Sequence, residues 1–251
     1  MTHPLVSVII PAYRCDQTIE RAIESALIQS VPSEIIVIND QSPDHLDAVM
    51  ERYQQFSEII YIKNDQNLGA AKSRNKGVSM ARGKYVAFLD SDDQWAPEKL
   101  KKQIETLEET GMVLCCTARE LMTPKGEGTG RVIPVRQVIS YRELLKHNCI
   151  NCSSVLIRAE VAKEFPMEHE DSHEDYIMWL KVLKKYGPAA GINEPLLKYR
   201  LSNTGKSGNK LKSAKMTFRV YRYMEFGLLR SVACFISYMF HGVVKYLCSW
   251  I

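Results

Sequence analysis

Four short runs, residues 5–10, 35–38, 59–62 and 85–89, are almost continuously apolar and rich in β-branched and aromatic side chains. Strands covered on both faces have this composition. Between the first two runs, Ile19, Ala22, Ile23, Ala26 and Leu27 recur at i, i+3, i+4, i+7 and i+8, one face of a helix. Asp16 is its candidate N-cap. The pattern predicts another helix over 69–81. Strand and helix alternating in this way give the βαβ rhythm of a parallel sheet with right-handed crossovers.

After the fourth run, Pro97 is predicted at the first position of a helix whose apolar face is Leu100, Ile104 and Leu107. The rhythm then breaks. Strands are predicted over 112–117, 131–135, 153–158 and 196–201, helices over 141–146 and 172–186, and a Gly/Lys loop over 124–130. The fold class is α/β: a regular half over 1–95 and an irregular half over 96–204, packed as one domain, precede a basic segment over 205–251.

Composition changes little in this picture. With 45% hydrophobic and 25% charged residues, the 251-residue chain is an ordinary globular protein. Residues 1–10 lack the pattern of a signal peptide, so a cytoplasmic location is expected. Seven scattered cysteines suggest no disulfide framework, and Cys149 and Cys152 alone form a C-x-x-C pair. Structural zinc needs four ligands, so free thiols are expected.

Charge changes the picture more. The net charge is +4, but residues 198–251 hold ten Lys or Arg against one acid, Glu225, and carry +9, leaving the body at −5. A basic tail points to an anionic partner.

Ligands of open parallel sheets bind beyond the carboxyl ends of the strands. The first, second and fourth strands are followed there by Pro11-Ala12-Tyr13, Asn39-Asp40-Gln41-Ser42 and Asp90-Ser91-Asp92-Asp93. Three adjacent carboxylates repel, and a divalent cation relieves that repulsion. The alternative is an acidic turn that caps the next helix. Asn67-Leu68-Gly69 is either a phosphate-binding turn or only a turn. Residues 168–175 (EHEDSHED) form a solvated acidic loop or a metal site. Trp95 is placed at the border of the donor site, and Trp179 in the core or as an acceptor platform.

Residues 6–13 (VSVIIPAY), 34–42 (EIIVINDQS), 67–77 (NLGAAKSRNKG), 83–93 (GKYVAFLDSDD) and 173–180 (HEDYIMWL) together resemble the family 2 inverting glycosyltransferases of GT-A fold. The resemblance covers about residues 4–200 and implies a nucleotide-binding half, an acceptor half and a nucleotide-sugar donor, usually a UDP-sugar. It implies that Asp40 hydrogen-bonds the base, that Pro11 and Tyr13 line its pocket, and that Arg74 lies beside the nucleotide. Asp90-Ser91-Asp92 corresponds to the D-x-D motif, with Asp90 near the ribose and Asp92 on Mn²⁺ or Mg²⁺. Asp175 corresponds to the catalytic base.

The chemistry supports these roles independently. Hard divalent ions prefer carboxylate oxygen and stabilise a leaving diphosphate. A positioned carboxylate that deprotonates the acceptor hydroxyl contributes about 10²–10⁴-fold. In an inverting displacement the base comes from a different element than the D-x-D, as the 172–186 helix allows. Asp175 is alternatively a first-turn acid favoured by the helix dipole, and Glu174 is a rival for the base.

Over 227–250 the apolar residues recur at steps of three and four, with Arg230, Ser237, His241 and Lys245 opposite. These polar residues disfavour a transmembrane span. The reading is a peripheral, in-plane helix on the cytoplasmic face of the inner membrane, serving a glycan or lipid-linked glycan acceptor. The alternative is a helix packed on the catalytic domain or in a dimer. A nucleotidyltransferase would need a Gly-rich loop after the first strand, which is missing here. A basic nucleic-acid-binding protein would leave the acidic rim unexplained, so no nucleic acid is expected as a partner.

Overall fold

In the computed structural model, which describes residues 3–201 and 210–248, the four apolar runs become neighbouring parallel strands. They are β1 (Val6–Ala12), β2 (Ser33–Asn39), β3 (Ile59–Lys63) and β4 (Tyr85–Phe88), in the order β3-β2-β1-β4. The crossovers carry α1 (Ile19–Leu27), α2 (Leu46–Glu51) and α3 (Ala70–Met80). Successive strand residues point to opposite faces, which splits the core in two. Val6, Val8 and Ile10 pack with α1 and α2, whereas Ile9 packs with α3.

The same sheet continues through the second half. There follow β5 (Gln94–Trp95), α4 (Lys99–Thr110), β6 (Leu114–Met122), β7 (Gly128–Ile133), β8 (Val138–Ile139), α5 (Tyr141–Lys146), a 3-10 turn (Cys152–Ser154), β9 (Leu156–Arg158), α6 (Ala159–Glu164), α7 (Glu174–Tyr186) and β10 (Ala189–Arg200). β9 runs antiparallel to both β4 and β6, and β10 runs parallel to β6. The carboxyl ends of β1, β2, β4, β6 and β10 therefore share one rim.

Several local expectations need correction. α1 begins at Ile19 with Thr18 at the cap, and no side chain caps it. Asp16 instead donates its N–H to Asp44 Oδ2 at 2.9 Å, which ties the β1–α1 loop to the β2–α2 loop. Pro97 precedes the cap residue Glu98 of α4. The strand expected over 153–158 is shortened by the 3-10 turn. β10 begins at Ala189, before the expected 196, because register shifts on both sides of Pro195 break its alternation. A proline within a strand pattern is a mark of such irregularity.

The tail forms α8 (Lys210–Tyr223) and α9 (Leu228–Cys248). α9 packs on the catalytic body, as the alternative reading had it. Ser231 is buried, and Cys234, Phe235 and Tyr238 pack against the core, with Tyr238 stacked on His147 at 5.3 Å. A second arc, Leu229, Val232, Ile236, Met239 and Phe240, is exposed. No described helix is long and apolar enough to cross a membrane. The side chains of Val243, Val244, Lys245 and Leu247, and the 202–209 part of the cationic segment, lie outside the described residues.

Candidate active site

The β2 end contributes Asp40, which is almost fully buried. Its Oδ1 accepts from Asn64 Nδ2 and from Leu68 N–H, both at 2.8 Å, and its Oδ2 accepts from Gly69 N–H at 2.7 Å. Asn67 Nδ2 donates to the Asp40 carbonyl at 3.1 Å. Asp40 therefore organises the β3–α3 turn. Its Oδ2 receives one donor and keeps a lone pair for another. Pro11 is half-buried at the end of β1. Tyr13 is 42% exposed, with the Arg14 guanidinium 5.3 Å from its ring centre. Ser42 accepts the Arg14 N–H at 2.7 Å and holds that loop to the β2 end.

The β4 end contributes the acids. Asp90 Oδ1 accepts from Arg74 Nη2 at 2.6 Å, and Arg74 Nη1 reaches Glu174 Oε1 at 3.3 Å. Arg74, buried on α3, thus joins the loop after β4 to the first residue of α7. The loop is also held from behind. Ser153 Oγ accepts the Asp90 N–H at 3.0 Å, and the Ser153 carbonyl accepts Trp95 Nε1–H at 2.7 Å. Trp95 is buried and takes part in this anchoring. Ser91 is half-buried and lies against the Cys15 thiol, which burial pushes up to about 12.

Negative charge is in excess here. Burial, then the charge of Asp90, pushes Asp92 up to about 6. Burial, then the charges of Asp92 and Asp90, pushes Asp93 well above the usual carboxylate range. Asp93 Oδ1 accepts the Arg200 N–H at 2.9 Å, while its buried Oδ2 has no partner among the described residues. Arg200 also donates Nε to the Asp92 carbonyl at 2.8 Å and Nη1 to the Pro124 carbonyl at 2.9 Å. A cation beside Asp92 would relieve this excess. Among the described residues no group of three or more His, Cys, Asp or Glu is arranged to hold a metal. Mg²⁺-type sites are compatible with that, because they use one or two carboxylates together with substrate phosphates.

Glu174 and Asp175 open α7. Glu174 is buried against Arg74. Burial, then the charge of Glu174, raises Asp175, whose Oδ1 accepts the Tyr176 N–H at 2.8 Å. The segment ahead of them is an exposed acidic loop whose side chains find specific partners. Glu168 pairs with Lys181 and Asp171 with Arg219, both at 2.9 Å, and His169 stacks on Tyr223. Glu170 Oε1 meets the Ala71 N–H at 3.3 Å. Gly69, at φ 87°, holds a backbone conformation that side chains rarely adopt, and a Cβ there would displace the Glu170 carboxylate, 1.7 Å away. Trp179 is fully buried, 6.0 Å from the Phe88 ring, so it is core.

Sequence reasoning missed Ser153, Asn75, Arg200 and Lys99. Ser153 and Arg200 act through backbone contacts that no spacing encodes. Lys99 is fully buried, with Nζ 4.0 Å from the Trp95 ring centre and 2.7 Å from Gln103 Oε1. Its position one residue before the apolar Leu100 was the available signal. The cysteines Cys15, Cys115, Cys116, Cys149, Cys152 and Cys234 are free thiols.

A search of known proteins gives the arrangement its relatives. The model of glycosyl transferase family 2 matches residues 7–163. The putative teichuronic acid biosynthesis glycosyltransferase TuaG of Bacillus subtilis (strain 168) is 38% identical over 245 residues, 96% of this chain and 97% of that one. The UDP-Glc:alpha-D-GlcNAc-diphosphoundecaprenol beta-1,3-glucosyltransferase WfaP of Escherichia coli is 34% identical, over 98% of this chain and 97% of its own. Among solved structures, the mannosyltransferase PcManGT of Pyrobaculum calidifontis in complex with GDP-Man and Mn²⁺ superposes with a TM-score of 0.70. It is 16% identical and covers 90% of this chain and 66% of its own, so it speaks to the GT-A fold alone. With the family model spanning most of the sheet and TuaG aligned almost end to end, the chain belongs to glycosyl transferase family 2, and it is a glycosyltransferase of GT-A fold.

Proposed function

We propose that the chain transfers a hexose-type sugar from a UDP-sugar to a hydroxyl of a lipid-linked glycan, with inversion at the anomeric carbon. The observation that carries this reading is the separation of roles along Arg74. Asp90 and Asp92 stand on the loop after β4, Asp175 stands on α7, and Arg74 ties the two elements together. A base and a leaving-group site on different elements suit an in-line displacement from opposite faces.

Asp40, Pro11 and Tyr13 bind the nucleotide, and Asp90 with Ser91 orients its ribose. A Mn²⁺ or Mg²⁺ ion on Asp92 and the donor's diphosphate would supply Lewis-acid stabilisation of the leaving phosphate. Asp175 takes the acceptor proton. Its raised basicity suits that task, because a catalytic carboxylate works best near the operating pH. Glu174, engaged by Arg74, positions rather than deprotonates. The names of TuaG and WfaP supply the analogy for a polysaccharide precursor and a diphosphate-lipid acceptor. The exposed arc of α9 supports a peripheral location on the cytoplasmic face of the membrane, where such an acceptor would be met.

The test is calorimetric titration of UDP with and without Mn²⁺, followed by transfer assays with UDP-sugars. UDP binding strengthened by Mn²⁺, together with transfer to a lipid-diphosphate sugar, is expected. Binding of duplex DNA in place of UDP would refute the reading.

A further inference from the structure

Arg119 is a cation at the rim that the roles above do not use. Arg119 lies in the carboxyl-terminal part of β6, in register with Leu197 of β10 and Ile133 of β7. It is half-buried, and its guanidinium carbon lies 5.7 Å from the centre of the half-buried Tyr199 ring. Its Nε is shut off from solvent and has no hydrogen-bond partner among the described residues. The other two buried arginines at the rim are engaged: Arg74 by Asp90 and Glu174, and Arg200 by the Asp92 and Pro124 carbonyls. The acid whose charge reaches Arg119 is Asp93, and burial lowers the guanidinium's affinity for its proton.

A desolvated guanidinium N–H without a hydrogen-bonded anion is costly, and it is relieved by paired anionic oxygens in its plane. The place of Arg119 says whose oxygens these are. Pro11, Tyr13 and Asp40 stand on β1 and β2, on one side of β4. β6 lies on the other side, beyond β9. A donor diphosphate beside Asp90 and Asp92 is at β4, so a ligand at β6 is on the acceptor side. Tyr199 adds a flat ring beneath the guanidinium that fixes its orientation.

We propose that Arg119, supported by Tyr199, is a recognition residue for an anionic group of the acceptor, a phosphate or a carboxylate. The chain would thereby select acceptors charged close to the reacting hydroxyl. This deepens the glycosyltransferase reading and rests on it. A lipid diphosphate and a uronic acid present the same chemistry, and the choice of acceptors separates them.

The experiment uses the full chain, a UDP-sugar and three acceptors with the same alkyl tail: a neutral glycoside, a sugar diphosphate and a uronic acid glycoside. The wild type is expected to favour one of the charged acceptors over the neutral one. Arg119→Met should raise KM for that acceptor about 10- to 100-fold, the loss expected for a charge-assisted hydrogen bond. KM for the neutral acceptor and the Kd for UDP should stay unchanged. Arg119→Lys, which keeps the charge without the fork, should fall between. A wild type that treats all three acceptors alike overturns the proposal without any variant, as does an equal effect of Arg119→Met on charged and neutral acceptors. Absence of UDP binding would instead remove the glycosyltransferase reading, and this proposal with it.

Discussion

The Asn75 side-chain amide on α3 donates to the Met167 carbonyl at 2.7 Å and accepts the Met167 N–H at 2.8 Å. One turn earlier on the same helix Ala71 N–H meets Glu170, and the neighbouring Arg74 meets Glu174. α3 thus grips the segment that leads into the candidate base at three successive points. Asn75→Asp keeps the acceptor and removes the donor, so it should loosen this grip. The expected result is a kcat about 10- to 100-fold lower, the order expected for an angstrom-scale misplacement, with the Kd for UDP unchanged. Equal losses in UDP affinity and kcat would show that Asn75 supports the fold of α3 rather than the base.

Asp92→Asn should abolish transfer and the Mn²⁺-dependent part of donor binding. It should not destabilise the protein. Burial, then the charge of Asp90, pushes the Asp92 carboxyl up to about 6, above its value of about 3.9 in an unfolded chain. Folding therefore disfavours its charged form, and at pH 7 the neutral amide removes that penalty. A thermal melt with Tm equal to or above wild type, together with lost turnover, is expected. Near-wild-type turnover would reject Asp92 as the metal ligand.

Asp175→Asn should lower kcat about 10²–10⁴-fold while UDP binding persists. Because the carboxyl of Asp175 is raised and the base must be ionised, kcat of the wild type should climb with pH through a value above the ordinary aspartate range. The acid limb should vanish in Asp175→Asn. A larger kcat defect in Glu174→Gln would exchange the two roles.

Lys99 makes a pH-dependent contribution of predictable sign. Burial lowers its ammonium to about 7, against about 10.4 in the unfolded chain. Between these values the unfolded state binds more protons, so this contribution to stability rises with pH from about 7 to 10 and is least favourable below 7. Lys99→Met should stabilise the protein at pH 7 by on the order of 1 kcal/mol and flatten that rise. Urea titrations of both proteins at several pH values check this. Parallel curves would mean that Lys99 is charged throughout.

The exposed arc of α9 should hold the protein on anionic liposomes. Replacing Leu229, Ile236 and Phe240 by Ser leaves the packed residues Ser231, Phe235 and Tyr238 in place, so Tm should be kept and flotation reduced. High salt should weaken flotation of the wild type. Flotation that survives the triple substitution would take this arc out of the membrane reading.

That β1 to β4 are strands of one parallel sheet was legible in the sequence, because strands covered on both faces must be continuously apolar and crossover helices must show one apolar stripe; their order in the sheet was not. The convergence of Asp40 and Asp90–Asp93 on one rim followed from that, since parallel strands end together. In the second half, β6, β9 and β10 are short or bulged, and their partners lie far apart in sequence. Local periodicity carries no record of such pairing, so β10 was seen only from 196 onward. Tertiary structure alone decided that Arg74 bridges Asp90 and Glu174 across 100 positions, that Asp40 shapes a turn with both oxygens, and that Lys99 is buried. It also left Arg119 Nε without a hydrogen-bond partner among the described residues. Each depends on which side chains meet when distant segments pack. That is set by the sum of many weak contacts over the whole core, not by the spacing of residues within any one element.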